Sequence, residues 1–422
     1  EQGFKKVISL DKNNVEGWMG WAILLSRKGE RQRDADTLKD AVAKFQTANE
    51  CEPDLPIILN GWGEALTILG SFTENLHLLR EGSAKILRAL QIEPDNSMIW
   101  RTYAACLTEL GCYFNDESHY LEALDKVKIG LKHDEFSPSL WAILARIYAC
   151  LGNLRGDMAL VEESCKYFEK AAELFQADVP ALYNEWGVSL MRLTEATHDR
   201  RFIEEAVAKF ERAIVSCTEN PGVEKDPEWL YNYGCALDFL GDFTDNPEHY
   251  EKAIKVLTFV VNTTPDFRHA RYNLALAWAH LAELTAEVEL FHTAVEQLEE
   301  LVKEDREDEI SWNELGMTLM NLAQLVRDPA HLELSHDYLL QAERHLQQAV
   351  ALGNTQAYYS MACLYSLLGN YDLAMHFLER AESSEALPAF EELLNDEWLE
   401  GVRQTNAFTH FTNQLANKLR RK

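Results

Sequence analysis

Hydrophobic residues recur along this chain on two nested periods. Within short stretches, large apolar side chains fall three, four and seven positions apart around a small residue, the stripe by which a helix buries one face. The stripe itself then returns. Its opening residues, the anchors, are Trp18, Leu59, Trp100, Trp141, Tyr183, Leu230, Arg271, Trp312 and Tyr358, spaced 41, 41, 41, 42, 47, 41, 41 and 46 residues apart. Trp18/Trp21/Ala22/Leu25, Trp141/Leu144/Ala145/Tyr148, Tyr183/Trp186/Gly187/Leu190 and Trp312/Leu315/Gly316/Leu319 are examples. A second stripe follows in small, large, small order: Ala41/Phe45/Ala48, Ser164/Phe168/Ala171, Ala206/Phe210/Ala213, Ala253/Leu257/Val260 and Ala342/Leu346/Ala349. Breakers such as Glu52-Pro53-Asp54, Glu93-Pro94-Asp95 and Thr264-Pro265-Asp266 close several units. Two helices per period, repeated from end to end, predict an all-α chain.

The order W-x2-L-G-x2-Y, then A-x3-F-x2-A, then P resembles the tetratricopeptide repeat. The resemblance covers residues 14–385 in about nine units. It implies antiparallel helix pairs stacked into a right-handed superhelical solenoid whose concave face binds peptides or protein segments. One departure is consistent. In a 34-residue unit the anchor stands sixteen residues before the first small residue of the second stripe, as Tyr358 does before Ala374; in most units here the gap is twenty-three, as from Trp18 to Ala41. The seven added residues, about two helical turns, are expected between the helices. Asn246-Pro247 and Asp328-Pro329 read there as an N-cap followed by Pro in the first turn, predicting a long second helix and a widened edge. Residues 1–13, with Phe4, Val7 and Leu10, fit the end of a preceding repeat, so the full-length protein is expected to start earlier. Residues 386–422 are expected to form capping helices and a basic tail. Leu394 and Trp398 share one helix there, Phe408, Phe411, Leu415 and Leu419 another, and the chain ends Lys418-Leu419-Arg420-Arg421-Lys422. A detachable, partner-binding helix is the alternative.

Composition changes the picture in two ways. With 69 Asp and Glu against 40 Lys and Arg the net charge is -29, while 47% of residues are hydrophobic. That is too apolar for a disordered acidic tail, and no run approaches the roughly 20 apolar residues of a membrane span. The charge repels a phosphate backbone, so neither a nucleic-acid partner nor a membrane span is expected. The cysteines Cys51, Cys106, Cys112, Cys150, Cys165, Cys217, Cys235 and Cys363 form no CxxC pair, and no signal-peptide pattern is present. They read as reduced, packed thiols of a cytoplasmic protein. Cys106 and Cys112 stand six apart across the end of a first helix, close enough to approach one another.

Catalytic signatures are missing: no GxGxxG after a strand, no GxxxxGK[ST], no HExxH and no GxSxG. His331 and His336, five apart, do not share a helix face. No enzyme activity, cofactor or metal site is therefore expected. Trp18, Trp21, Trp62, Trp100, Trp141, Trp186, Trp278 and Trp312 occupy the repeat stripe and are expected in the core. The run Glu304-Asp305-Arg306-Glu307-Asp308-Glu309 reads as a solvated connecting turn, with an acidic binding patch as the alternative.

In the family this chain resembles, first-helix residues two, five and nine positions after the anchor line the concave face. Those rows set Glu64, Glu109, Glu185 and Glu314 against Arg27, Arg146 and Arg192, a near balance that assigns the acidic excess to the outer face. In the C-terminal half the rows turn to Asn and apolar residues. Asn232, Cys235, Phe239, Asn273, Leu276, His280, Met317 and Asn321 are the expected partner-binding groove. A chaperone-type carboxylate clamp is not matched, because Ile310 and Glu314 stand where Lys and Arg are needed. A subclass that holds peptide backbone on a ladder of Asn is more similar. Asn232 and Asn273 supply two rungs, interrupted on either side by Glu185 and Glu314. The expected function is a non-enzymatic scaffold for a protein or peptide segment. The alternatives are a chaperone for secreted or unfolded clients and a non-catalytic subunit of a larger complex.

Overall fold

The structure is a computed structural model that describes residues 1–219 and 226–419; the Cys217 and Leu419 side chains and Arg420-Arg421-Lys422 lie outside the described residues. Every regular element among the described residues is helical. After α1 (Gln2–Leu10) come α2 (Val15–Gln32) and α3 (Ala35–Cys51), α4 (Pro56–Phe72) and α5 (Leu76–Ile92), α6 (Ser97–Phe114) and α7 (Glu117–His133), α8 (Pro138–Arg155) and α9 (Met158–Leu174), and α10 (Pro180–Thr197) and α11 (Arg200–Glu219). The series continues with α12 (Pro227–Thr244) and α13 (Pro247–Thr263), α14 (Arg268–Thr285) and α15 (Val288–Glu304), α16 (Glu309–Leu325) and α17 (Leu332–Leu352), and α18 (Ala357–Leu367) and α19 (Tyr371–Ser383). Short α20 (Phe390–Asn395) and α21 (Glu400–Arg403) lead to α22 (Asn406–Leu419). The chain divides into two compact units, Glu1–Asn232 and Tyr233–Lys422.

The two stripes are what each pair buries. Ala22, Ala104, Ala145, Ala275 and Ala362, the small residues of first helices, are wholly inaccessible. So are the second-helix residues Ala41, Ala206, Phe210, Leu257 and Leu346. The small residue lets the two backbones close. A Cβ on Gly63 would stand 2.8 Å from the Gly82 carbonyl oxygen across the α4–α5 contact, nearer than side chains tolerate.

The hairpin turns correct one expectation. The seven extra residues do not make a longer loop between the helices. They lengthen the helices themselves: α8 and α9 have 18 and 17 residues, against 11 and 13 in α18 and α19. In six of the nine pairs two residues make the turn. The first is left-handed, as at Arg33 (φ 48°), Asn115 (51°), Gly156 (64°), His198 (52°) and Ala286 (56°). It ends the first helix as a C-cap does. The second caps the next helix: Asp34, Asp116, Asp157 and Asn246 each accept the amide two residues on. Pro247 does open α13, but Pro329 does not open α17. There the Asp328 carboxylate is taken by the Ala330 amide at 2.7 Å and the His331 ring at 2.6 Å, so the chain turns before the helix starts.

The tryptophans are a second correction. Trp62 and Trp186 are buried, but Trp18, Trp21, Trp100, Trp141, Trp278 and Trp312 are only half-buried. Four of these have polar work that keeps them at the surface. The indole Nε1 of Trp18, Trp100, Trp141 and Trp312 donates to the carbonyl six residues earlier, on Lys12, Pro94, Glu135 and Arg306, at 2.7–3.1 Å. The indole thus fastens the turn entering its helix. Second-helix lysines cover several of these rings, with Lys85 3.7 Å over Trp62 and Lys170 3.6 Å over Trp141.

In the second unit, Leu393, Leu399, Val402, Phe408 and Phe411 of the C-terminal segment are buried in one core with Met361, Tyr365 and Leu378, and Leu415 and Trp398 pack against it. Leu394 is exposed at 36%, because α20 turns Leu393 inward instead. No helix among the described residues is long and apolar enough to cross a membrane.

Candidate functional site

First helices expose side chains to one another along a common face, and in the first unit this face opens into a cavity of about 630 Å³. Helices α2, α4, α6 and α8 line it. Its walls carry paired charges. Arg101 binds Glu64 at 2.6 Å, and Arg146 binds Glu109 at 2.5 Å while Ser71 donates to the same carboxylate at 2.6 Å. Burial alone would raise the Glu109 carboxyl, but Arg146 and Ser71 outweigh it and hold it below its ordinary value. Glu109 in turn raises the Arg146 guanidinium. These groups are partly desolvated, so each pair is stronger than one in open solvent but costs more to break by losing one member. At the rim, Arg33 pairs with Glu228.

The expected groove residues fall out differently. Asn232 belongs to the first unit, where its amide donates to Asn184 at 3.0 Å. Asn273 donates to its own helix at the His269 carbonyl, 3.1 Å away. Asn321 donates to Glu283. The amides expected to hold a peptide backbone are therefore engaged within the chain. Phe239 meets Phe243 edge-on at 5.4 Å, and Met317 sulfur accepts from Asn313 at 3.3 Å. Cys235 and Leu276 are half-buried on α12 and α14.

His280 is the centre of this second-unit face. Its Nδ1 lies 3.1 Å from both oxygens of Asp238. Desolvation pulls the imidazole down, yet the Asp238 hydrogen bond and charge, with Asp242 and Glu283, leave it raised to about 9. Desolvation raises the carboxyls of Asp242, Glu283 and Glu314, with His280 opposing. Rows two, five and nine miss Asp238, Asp242 and Glu283, which stand eight, twelve and twelve residues after their anchors. The signal was present: a first helix lengthened by the added residues carries its inner face one turn further.

Other features resolve simply. Arg271 takes Glu304 at 2.5 Å, and Arg268 takes Asp308, so the acidic run is partly neutralised from α14. Cys106 does not meet Cys112. It is buried and contacts the Leu79 carbonyl at 3.8 Å, while exposed Cys112 faces Cys150 of α8. Among the described residues, no three His, Cys, Asp or Glu side chains are placed to hold a metal ion.

The sequence profile of the tetratricopeptide repeat matches residues 355–386, the pair α18 and α19. The same small-residue hairpin recurs through both units ahead of it. Residues 355–386 are a tetratricopeptide repeat. Among solved structures, this repeat protein is similar to a tetratricopeptide repeat protein from Parabacteroides merdae, at 14% identity, covering 71% of this chain and 99% of that one with a TM-score of 0.46. It is similar also to the human IFIT1 dimer with PPP-AAAA, at 15% identity, 90% and 86% coverage and a TM-score of 0.44. A third is a thermophilic repeat protein of Thermus thermophilus, at 16% identity, 51% and 98% coverage and a TM-score of 0.37. No curated protein matches the sequence. Repeat proteins of this kind serve in general as protein-interaction scaffolds, because stacked units create extended surfaces.

Proposed function

We propose that this chain is a non-enzymatic protein-interaction scaffold that takes an extended protein segment along the first-helix face of its first unit. The cavity lined by α2, α4, α6 and α8 carries the reading, since its size suits several side chains. The ion pairs on its walls give a segment bearing both signs of charge something to exchange with, so affinity should fall moderately with salt. The test selects binding segments from a displayed peptide library with the whole chain, then measures them against Arg101→Ala and Arg146→Ala. Each substitution is expected to weaken binding about tenfold or more, with the helical circular-dichroism spectrum retained. Unchanged affinity in both would remove the first-unit groove from consideration.

A second reading is favoured by the second unit. Of the expected groove, all but Asn232 lies in this unit, namely Cys235, Phe239, Asn273, Leu276, His280, Met317 and Asn321, and beside its one imidazole stand Asp238, Asp242, Glu283 and Glu314, which suits a segment carrying lysine or arginine. Loss of binding in Asp238→Asn with Glu314→Gln, but not in the arginine variants, would select this reading over the first.

A further inference from the structure

Two thiols from successive first helices come together in the first unit. Cys112 lies in the last turns of α6, Cys150 lies one turn beyond Arg146 on α8, and α6 packs on α8. Cys112 stands one turn beyond Glu109 on α6, as Cys150 does beyond Arg146 on α8, so the ion pair joining those two at 2.5 Å sets the thiols facing one another, and the Tyr120 hydroxyl donates to Cys112 at 3.3 Å. Cys112 is exposed and opens into a cleft of about 510 Å³ beside Ser71, Glu109 and Tyr113, while Cys150 is half-buried behind it. A small oxidant therefore reaches one sulfur first, with the other facing it from the next first helix.

The surrounding charges set the order of reaction. The neighbouring Cys150 thiol, with Tyr120 and Arg146 assisting, lowers the Cys112 thiol against burial and Glu109. The same neighbour and burial push Cys150 up. Exposure and charge thus both favour Cys112 as the sulfur that reacts first.

We propose that Cys112 and Cys150 form a reversible disulfide on meeting a hydroperoxide, with Cys112 as the attacking thiolate and Cys150 as the resolving thiol. In the first step the Cys112 sulfur attacks the terminal peroxide oxygen. The S–O bond forms, the O–O bond breaks, and the departing alkoxide takes a proton from solvent. In the second step the Cys150 sulfur attacks the sulfenic acid. The S–S bond forms, the S–O bond breaks, and hydroxide leaves as water with the Cys150 proton. Two thiols and one hydroperoxide yield one disulfide, one alcohol and one water. Sulfur loses the two electrons that the peroxide gains. The bridge ties α6 to α8 next to Glu109 and Arg146, whatever the groove binds.

Speed alone does not diagnose this chemistry. A lowered thiol pKa enriches the thiolate but also weakens its nucleophilicity, so the two effects largely cancel. The product decides. Reduced protein is treated with equimolar hydrogen peroxide, blocked with N-ethylmaleimide, digested and read by mass spectrometry. The expected result is a Cys112–Cys150 linked peptide that dithiothreitol removes, with the other six cysteines, Cys51, Cys106, Cys165, Cys217, Cys235 and Cys363, carrying maleimide once the chain is denatured for blocking. Cys150→Ser should accumulate a sulfenic acid at Cys112 that dimedone traps, and Cys112→Ser should leave Cys150 unoxidised, each with a wild-type circular-dichroism spectrum. Linkage of Cys112 to any other cysteine, or maleimide on both Cys112 and Cys150 of the treated wild-type chain, would overturn the proposal, and this readout needs neither variant to fold.

Discussion

His280 carries the clearest electrostatic consequence of the fold at the scale of a single side chain. Its imidazole is raised from an ordinary 6.5 to about 9 in the folded chain by Asp238 at 3.1 Å, with Asp242 and Glu283 assisting against desolvation. Below pH 6.5 both folded and unfolded chains hold the proton, and the pairing contributes in full. Between 6.5 and about 9 the unfolded chain releases the proton while the folded one keeps it, so that contribution is lost progressively. The urea midpoint of the second unit should accordingly decline from pH 6 to pH 9.5, and His280→Gln should flatten the decline. An equal slope in both proteins would show that Asp238 does not hold the imidazole. The histidine itself was legible as a row residue. Asp238, Asp242 and Glu283 were legible as an inner face carried one turn further, but their pairing with His280 was not, because Asp238 and Asp242 sit on α12 and the register between neighbouring helices is not contained in the spacing along one helix.

At the scale of the helix pair, the burial pattern was readable and the turn was not. The small, large, small order of the second stripe specifies contact chemistry, and Ala206/Phe210/Ala213 are wholly buried as that order requires. The left-handed residue ending the first helix is by contrast Arg33, Asn115, Gly156, His198 or Ala286, types with no common signal. Only Gly156 and, more weakly, Asn115 advertise the conformation. An L-residue there costs of order 1 kcal/mol, most plainly at Ala286 (φ 56°), which lacks a polar side chain to offset it. Ala286→Gly should therefore stabilise the second unit by up to about 1 kcal/mol, less the greater chain entropy of glycine when unfolded. Differential scanning calorimetry would register this as a higher transition temperature. A lower one would mean that the alanine methyl contributes packing that outweighs its strain.

At the scale of a whole unit, stacked pairs leave a terminal face that something has to cover. In the second unit, Phe408 and Phe411 of α22 are buried with Met361, Tyr365 and Leu378. Deleting residues 406–422 removes both rings, at about 1.5–3 kcal/mol each for burial. We expect a lower melting temperature, binding of a hydrophobic dye and aggregation on concentration. A deletion variant as stable as the whole chain, with stronger partner binding, would instead make α22 a detachable segment. The amphipathic spacing of Phe408, Phe411 and Leu415 was visible in the sequence, whereas the inward turn of Leu393 in place of Leu394 was not. A one-residue rotation in a helix as short as α20 is decided by the core it meets rather than by its own periodicity.

The indole bonds of Trp18, Trp100, Trp141 and Trp312 also bear on how such a chain can change over generations. Each reaches back to a main-chain carbonyl, and the four residues that supply it, Lys12, Pro94, Glu135 and Arg306, have no side-chain chemistry in common. A joint made to the main chain imposes no spelling on the turn. The connecting segments are thereby free to diverge in charge, size and partner contacts while the junction persists, provided that the donor keeps its place. Relatives of this protein would then share a rhythm of tryptophans long after their turns had ceased to align.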